Sequence, residues 1–103
     1  MKFVVLIPTT DNGGKPFPQS KLIRIIDRFN EQFGGSSVEG PVFGSWKNDR
    51  GEIMRDTLLK LSVVTSDDRE EEARRMVRRI RRELKQDAMY FEVIRDDGVE
   101  FIR

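Results

Sequence analysis

The chain has 103 residues with neither cysteine nor histidine, and its 19 Lys and Arg against 18 Asp and Glu leave a net charge of +1 although 36% of residues are charged. That length suits one domain, residues 1–103, with a single two-layer core. The missing residue types exclude a disulfide framework, a zinc-thiolate site and a thiol nucleophile, and with them most familiar catalysts; any electrostatic role must come from segregated charge.

No run of eighteen apolar residues occurs, and Met1 to Ile7 is too short and too soon broken by Pro8 for a signal-peptide core, so a cytosolic protein without a membrane partner is expected. Lys2 to Ile7 carries Phe3, Val4, Val5, Leu6 and Ile7 without polar alternation, which reads as a central strand covered on both faces. Pro8 to Pro18 then collects Asp11, Asn12, Gly13, Gly14, Lys15 and Pro16, turn formers that make a long loop. From Gln19 to Phe33 the apolar residues Leu22, Ile25, Ile26, Phe29 and Phe33 share one helical face, and Gly34-Gly35 ends the helix.

Ser37 to Lys47 has strand character in Val38, Val42, Phe43 and Trp46, but Gly40, Pro41 and Gly44 interrupt it, which predicts an edge strand with a bulge. Asn48-Asp49-Arg50-Gly51 is a hairpin turn, and Glu52 to Thr65 forms the next long strand. Asp67 and Glu70 have capping-box spacing ahead of a helix that runs to about Lys85 with Ala73, Met76, Val77, Ile80 and Leu84 buried. Met89, Phe91 and Val93 alternate as a half-exposed strand does, and Asp96-Asp97-Gly98 turns the chain into a short fifth strand, Val99 to Ile102.

The order is βαββαβ, the pattern of a ferredoxin-like α+β sandwich with antiparallel sheet order 4-1-3-2 and two helices on one face. Strands one and three also carry apolar residues on the other face. A continuous apolar patch there predicts a homodimer packed sheet to sheet, with the C-terminal strand covering an edge of its own or the partner's sheet.

The loudest local signal is the basic run Arg74, Arg75, Arg78, Arg79, Arg81, Arg82 and Lys85. Glu70 and Glu71 are spaced to pair with Arg74 and Arg75, and Glu83 with Arg79, which leaves Arg78, Arg81, Arg82 and Lys85 as candidates for nucleic acid or another anion. The first loop offers Gly13, Gly14, Lys15 and Lys21 as a second anion site at a helix N-terminus, without a Walker or dinucleotide-binding pattern. It also lacks the arginine and asparagine arrangement of acylphosphatases. Asp11, just after the first strand, is similar in position to the aspartate of Cas2-like endoribonucleases and supports an alternative, a metal-dependent nuclease or phosphohydrolase. No metal cluster or cofactor site is otherwise evident. Trp46 is an aromatic candidate for stacking on a base, though packing against Ile53 or Met54 or stacking with Arg55 is the ordinary role of such a residue, and Asp56 is expected to pair a neighbouring base.

Phe33-Gly34-Gly35, Gly44-Ser45-Trp46, Gly51, Asp56 and Gln86-Asp87-Ala88-Met89-Tyr90 together make the chain similar to a group of small bacterial proteins of uncharacterised function. In those sequences, too, a Phe-Gly-Gly helix end precedes a Gly-x-Trp hairpin and a Gln-x-Ala segment leads into the last strand. The resemblance implies a fold and no activity. With neither histidine nor cysteine, the leading expectation is a non-enzymatic, homodimeric binding module without a cofactor.

Overall fold

A computed structural model describes all residues except 96, 97 and 99. In chain order the elements are β1 (Lys2–Pro8), α1 (Gln19–Phe33), β2 (Ser37–Lys47), β3 (Ile53–Val64), a single 3-10 turn at Asp67–Arg69, α2 (Glu70–Glu83) and β4 (Phe91–Ile94). The four strands form one antiparallel sheet in the order β2-β3-β1-β4, the expected order read from the opposite edge.

Because successive strand residues point to opposite faces, β1 divides its apolar run between two environments. Phe3, Val5 and Ile7 point toward the helices, beside Leu61 and Val63 of β3, and meet Ile25 and Phe29 of α1 and Ala73, Met76, Val77, Ile80 and Leu84 of α2. Phe3 is fully buried, its ring centroid 6.2 Å from that of Phe29, 5.2 Å from Phe33 and 5.6 Å from Phe91. Both helices therefore cover the same face.

α1 ends as its glycines predict: Gly34 adopts φ 88° and its N–H donates to the Asn30 carbonyl at 2.8 Å. The two helices are then fastened end to side. Arg69 donates to the Gln32 carbonyl and to the Glu72 carboxylate while its guanidinium lies 4.5 Å from the Phe33 ring centroid, and Gln32 Nε2 donates to the same carboxylate at 2.7 Å. Arg28 pairs with Glu83 at 2.5 Å, so Glu83 serves the other helix and not Arg79.

The expected capping box does not form. Asp67 lies 3.0 Å from the Met1 ammonium, the Ser66 hydroxyl donates to Asp68, and Glu70 is held by Arg74 and Arg95, so no side chain caps this helix start. The C-terminal expectation is also revised in part: Glu100 to Arg103 form no strand, Phe101 and Ile102 are exposed, and Val99 and the Asp96-Asp97 turn lie outside the described residues.

β2 is an edge strand whose register with β3 shifts between Glu39 and Val42, the bulge that Pro41 requires. β1 stops pairing with β3 at Pro8 opposite Leu58, followed by one bond from Thr9 N–H to the Thr57 carbonyl. Beyond that point β2 and β3 continue as a two-stranded arm closed by the Asn48–Gly51 turn, where the Asn48 side chain accepts from the Arg50 and Glu52 amides.

Candidate functional site

Three regions contain the candidate residues: the β1–α1 loop, the surface of α2 and the β2–β3 arm.

In the loop, the Asp11 carboxylate turns back on its own backbone. Its Oδ1 accepts from the amides of Gly13 and Lys15, each at 2.9 Å, and the Asp11 carbonyl accepts from Gly14 at 3.0 Å. Three amides that an anion would need are thereby taken by one aspartate, an Asx-type arrangement. Lys21 does not join them; its Nζ lies 5.1 Å from the Phe17 ring centroid. Among the described residues no group of three His, Cys, Asp or Glu side chains is placed to hold a metal ion. Asn12 ties the loop down by donating to the Lys85 carbonyl at 2.9 Å, and Gln86 donates to the Leu84 carbonyl at 3.1 Å and lies 3.5 Å from the Asn12 amide oxygen. Gln86 thus joins two connections at one end of the sheet, a contact 74 residues apart in sequence.

On α2 the structure redistributes the basic candidates. Arg74 pairs with Glu70 at 2.9 Å and Glu71 at 2.5 Å, and Arg78 reaches Glu71 at 3.3 Å, a partner seven residues away. Arg81 donates to the Gln86 carbonyl at 2.8 Å. Arg78 and Arg81 flank a groove of about 160 Å3 between α2 and β4, with Val77, Met89 and Phe91 as its apolar floor. Arg82 and Lys85 form no ion pair among the described residues, and neither do Arg75 and Arg79. Arg75, Arg79 and Arg82 are exposed and fall at i, i+4 and i+7, so they form one stripe about 10 Å long.

The arm carries its apolar side chains in the open: Phe43 is 79% exposed, Ile53 54%, Trp46 51% and Met54 40%. Trp46 faces Met54 in register, and its Nε1–H donates to Asp56 Oδ2 at 3.0 Å. Asp56 is therefore the acceptor for Trp46 and not the partner of a base. Gly44 sits opposite Asp56, and a Cβ there would come 3.0 Å from Leu58 Cδ1, so a larger residue would have to displace that methyl. Gly44, Ser45 and Asp56, with Phe43, Arg55 and Thr57, line an open hollow of about 230 Å3.

The face of the sheet away from the helices is not the continuous apolar patch expected. Val4, Leu6, Leu58, Val42, Val64 and Ile94 occupy it in alternation with Lys2, Lys60, Ser62, Glu39, Glu92 and Tyr90. Val4 is 2% exposed within one chain because its neighbours cover it. The Glu92 charge raises the Tyr90 phenol above its ordinary value.

The sheet and helices are shared with a phage SAM lyase. The solved structure of that enzyme in complex with S-methyl-5′-thioadenosine superposes with a TM-score of 0.63 over 88% of this chain and 77% of that chain, at 9% sequence identity. At that identity the likeness shows the fold alone. No family model and no curated protein matches the chain.

The Glu72 clamp gives this layer an acid sensitivity. The hydrogen bond from Arg69, then that from Gln32, lowers the Glu72 carboxyl from 4.5 to about 2. The folded chain keeps Glu72 ionised at a pH where the unfolded chain protonates it, so its stabilisation is complete above about pH 4.5 and is lost as pH falls toward 2. Thermal unfolding followed between these values should show stability falling as pH drops, and Glu72→Gln should flatten that part of the profile while lowering stability at neutral pH.

Proposed function

We propose that the chain is a ferredoxin-like binding module that self-associates through its open sheet face and contacts an anionic polymer, such as a nucleic acid, through α2. The observation that carries the anion reading is the division of the α2 arginines into two sets. Those at the helix start and toward β4 are satisfied by Glu70, Glu71 and the Gln86 carbonyl. Arg75, Arg79 and Arg82 are exposed and form no ion pair among the described residues, Arg75 acting on the Glu72 charge only from a distance. Three cations on one straight stripe recognise phosphates by charge and counterion release, with no means of reading sequence. Weak, sequence-independent binding follows.

A second reading is favoured by the arm. Its hollow places the exposed Phe43 ring beside Ser45 and Thr57, a surface for stacking with hydrogen-bonding groups for a small nucleoside. The ligand of the phage enzyme, S-methyl-5′-thioadenosine, belongs to that class and supports this reading by fold analogy.

Single-stranded oligonucleotide retention in a low-salt mobility assay tests the first reading. Replacing Arg75, Arg79 and Arg82 together by Ala should abolish it, the logarithm of affinity should fall against that of salt concentration with a slope of roughly −2 for three single-strand phosphate contacts, and unchanged retention in the triple variant would discard the stripe. For the second reading, a calorimetric titration with S-methyl-5′-thioadenosine should give heat that Phe43→Ala removes; no heat with the unaltered protein eliminates it.

A further inference from the structure

The arm and the open face belong to one surface. Even-numbered residues of β3 point away from the helices along its whole length, so Met54, Asp56 and Leu58 continue the face that carries Lys60, Ser62 and Val64. Across from them, Trp46, Gly44 and Val42 of β2 extend the same side. A two-stranded ribbon with uncovered apolar side chains is at best marginally stable alone, so the arm needs a cover.

Area and charge both select the cover. Without the arm, the stretch of sheet from Leu58 to Val64 is about 20 Å long and about 15 Å wide, or roughly 300 Å2 in flat projection. That is well short of the ~800 Å2 of accessible surface per partner found in stable interfaces, and the arm adds roughly half as much again before side-chain relief is counted. Self-association through this face therefore gains area by engaging the arm, and the relief of the side chains must supply the rest. Two copies stacked with their arms together would set Asp56 against the partner's Asp56. With one copy reversed end for end, Asp56 instead meets the partner's Lys60, and the pairing occurs twice by symmetry.

We propose that two copies pack open face to open face about a two-fold axis that crosses the strands near Leu58, so that each arm lies over the Lys60–Val64 end of its partner's sheet. Trp46 and Met54 are then covered by the partner, and Asp56 pairs with the partner's Lys60. The hollow beside Phe43 extends onto the opposite side of the arm and stays accessible there. This arrangement rests on the dimer reading above and adds its geometry.

Light scattering at micromolar concentration should report twice the mass of one chain. Trp46 is the only tryptophan, so its emission reads the arm directly and should shift to the blue as concentration rises through the association range. Asp56→Lys and Lys60→Asp should each weaken association roughly tenfold or more, whereas the two together should bring it back to within about threefold, because the charges are exchanged and not lost. The double variant also lacks the Trp46–Asp56 hydrogen bond, so its recovery separates a lost intermolecular pair from a disordered arm. A dimer whose Trp46 emission does not respond to dilution, or whose double variant stays as weak as the single ones, overturns this geometry and leaves the dimer standing. A strictly monomeric protein overturns the dimer and this geometry with it.

Discussion

Phe3 holds the layers together. It touches a ring from each end of the architecture, Phe29 and Phe33 on α1 and Phe91 on β4, and it lies opposite Val63 in the central pair of strands. Burial of a side chain of this size contributes about 1.5 to 3 kcal/mol, and removing it would leave a cavity that both helices border. The same alternation that aims Phe3, Val5 and Ile7 at the helices sends Val4 and Leu6 to the other side. With two helices and four strands, only one face of the sheet is covered by helices.

Much of this architecture is legible in the sequence because it is local. The spacing from Leu22 to Phe33 and the double glycine define α1 to the residue, and Pro41 among strand formers marks β2 as an edge with a bulge. What is not legible depends on contacts between distant residues. The unbroken run from Phe3 to Ile7 does not reveal which parity faces the helices, and the charged residues that interrupt the open face, Lys60 and Glu92, come from two other strands. Helical spacing alone assigns Glu83 to Arg79, yet Arg28, 55 residues away, takes it. Asp67 has the composition of a capping residue, but the Met1 ammonium lies within 3.0 Å and claims its carboxylate. Trp46 and Gln86 find partners across the hairpin and across the fold, Asp56 and Asn12.

The candidate sites divide along the same line. The first loop has the composition of an anion site, but its amides already receive the Asp11 carboxylate, so the chain supplies its own anion. On α2 the count of basic residues overstates the available charge, since Arg74, Arg78 and Arg81 are bound within the chain. What remains is a stripe of three arginines on α2 and an arm with exposed aromatic residues. The fold shared with the phage lyase fits either use, because a sheet of this kind takes its function from the groups placed on it.

The central claim is that the uncovered sheet face and the arm form a single surface for a second copy. Hydrogen exchange of backbone amides at two protein concentrations, one below and one above the association range, tests it most directly. Association predicts that the amides of the arm, from Val42 to Lys47 and from Ile53 to Thr57, exchange more slowly at the higher concentration while the outer turns of α2 exchange at the same rate in both. Arm amides that exchange equally fast at both concentrations, with slowing confined to α2, would contradict it and place the contact on the helical side.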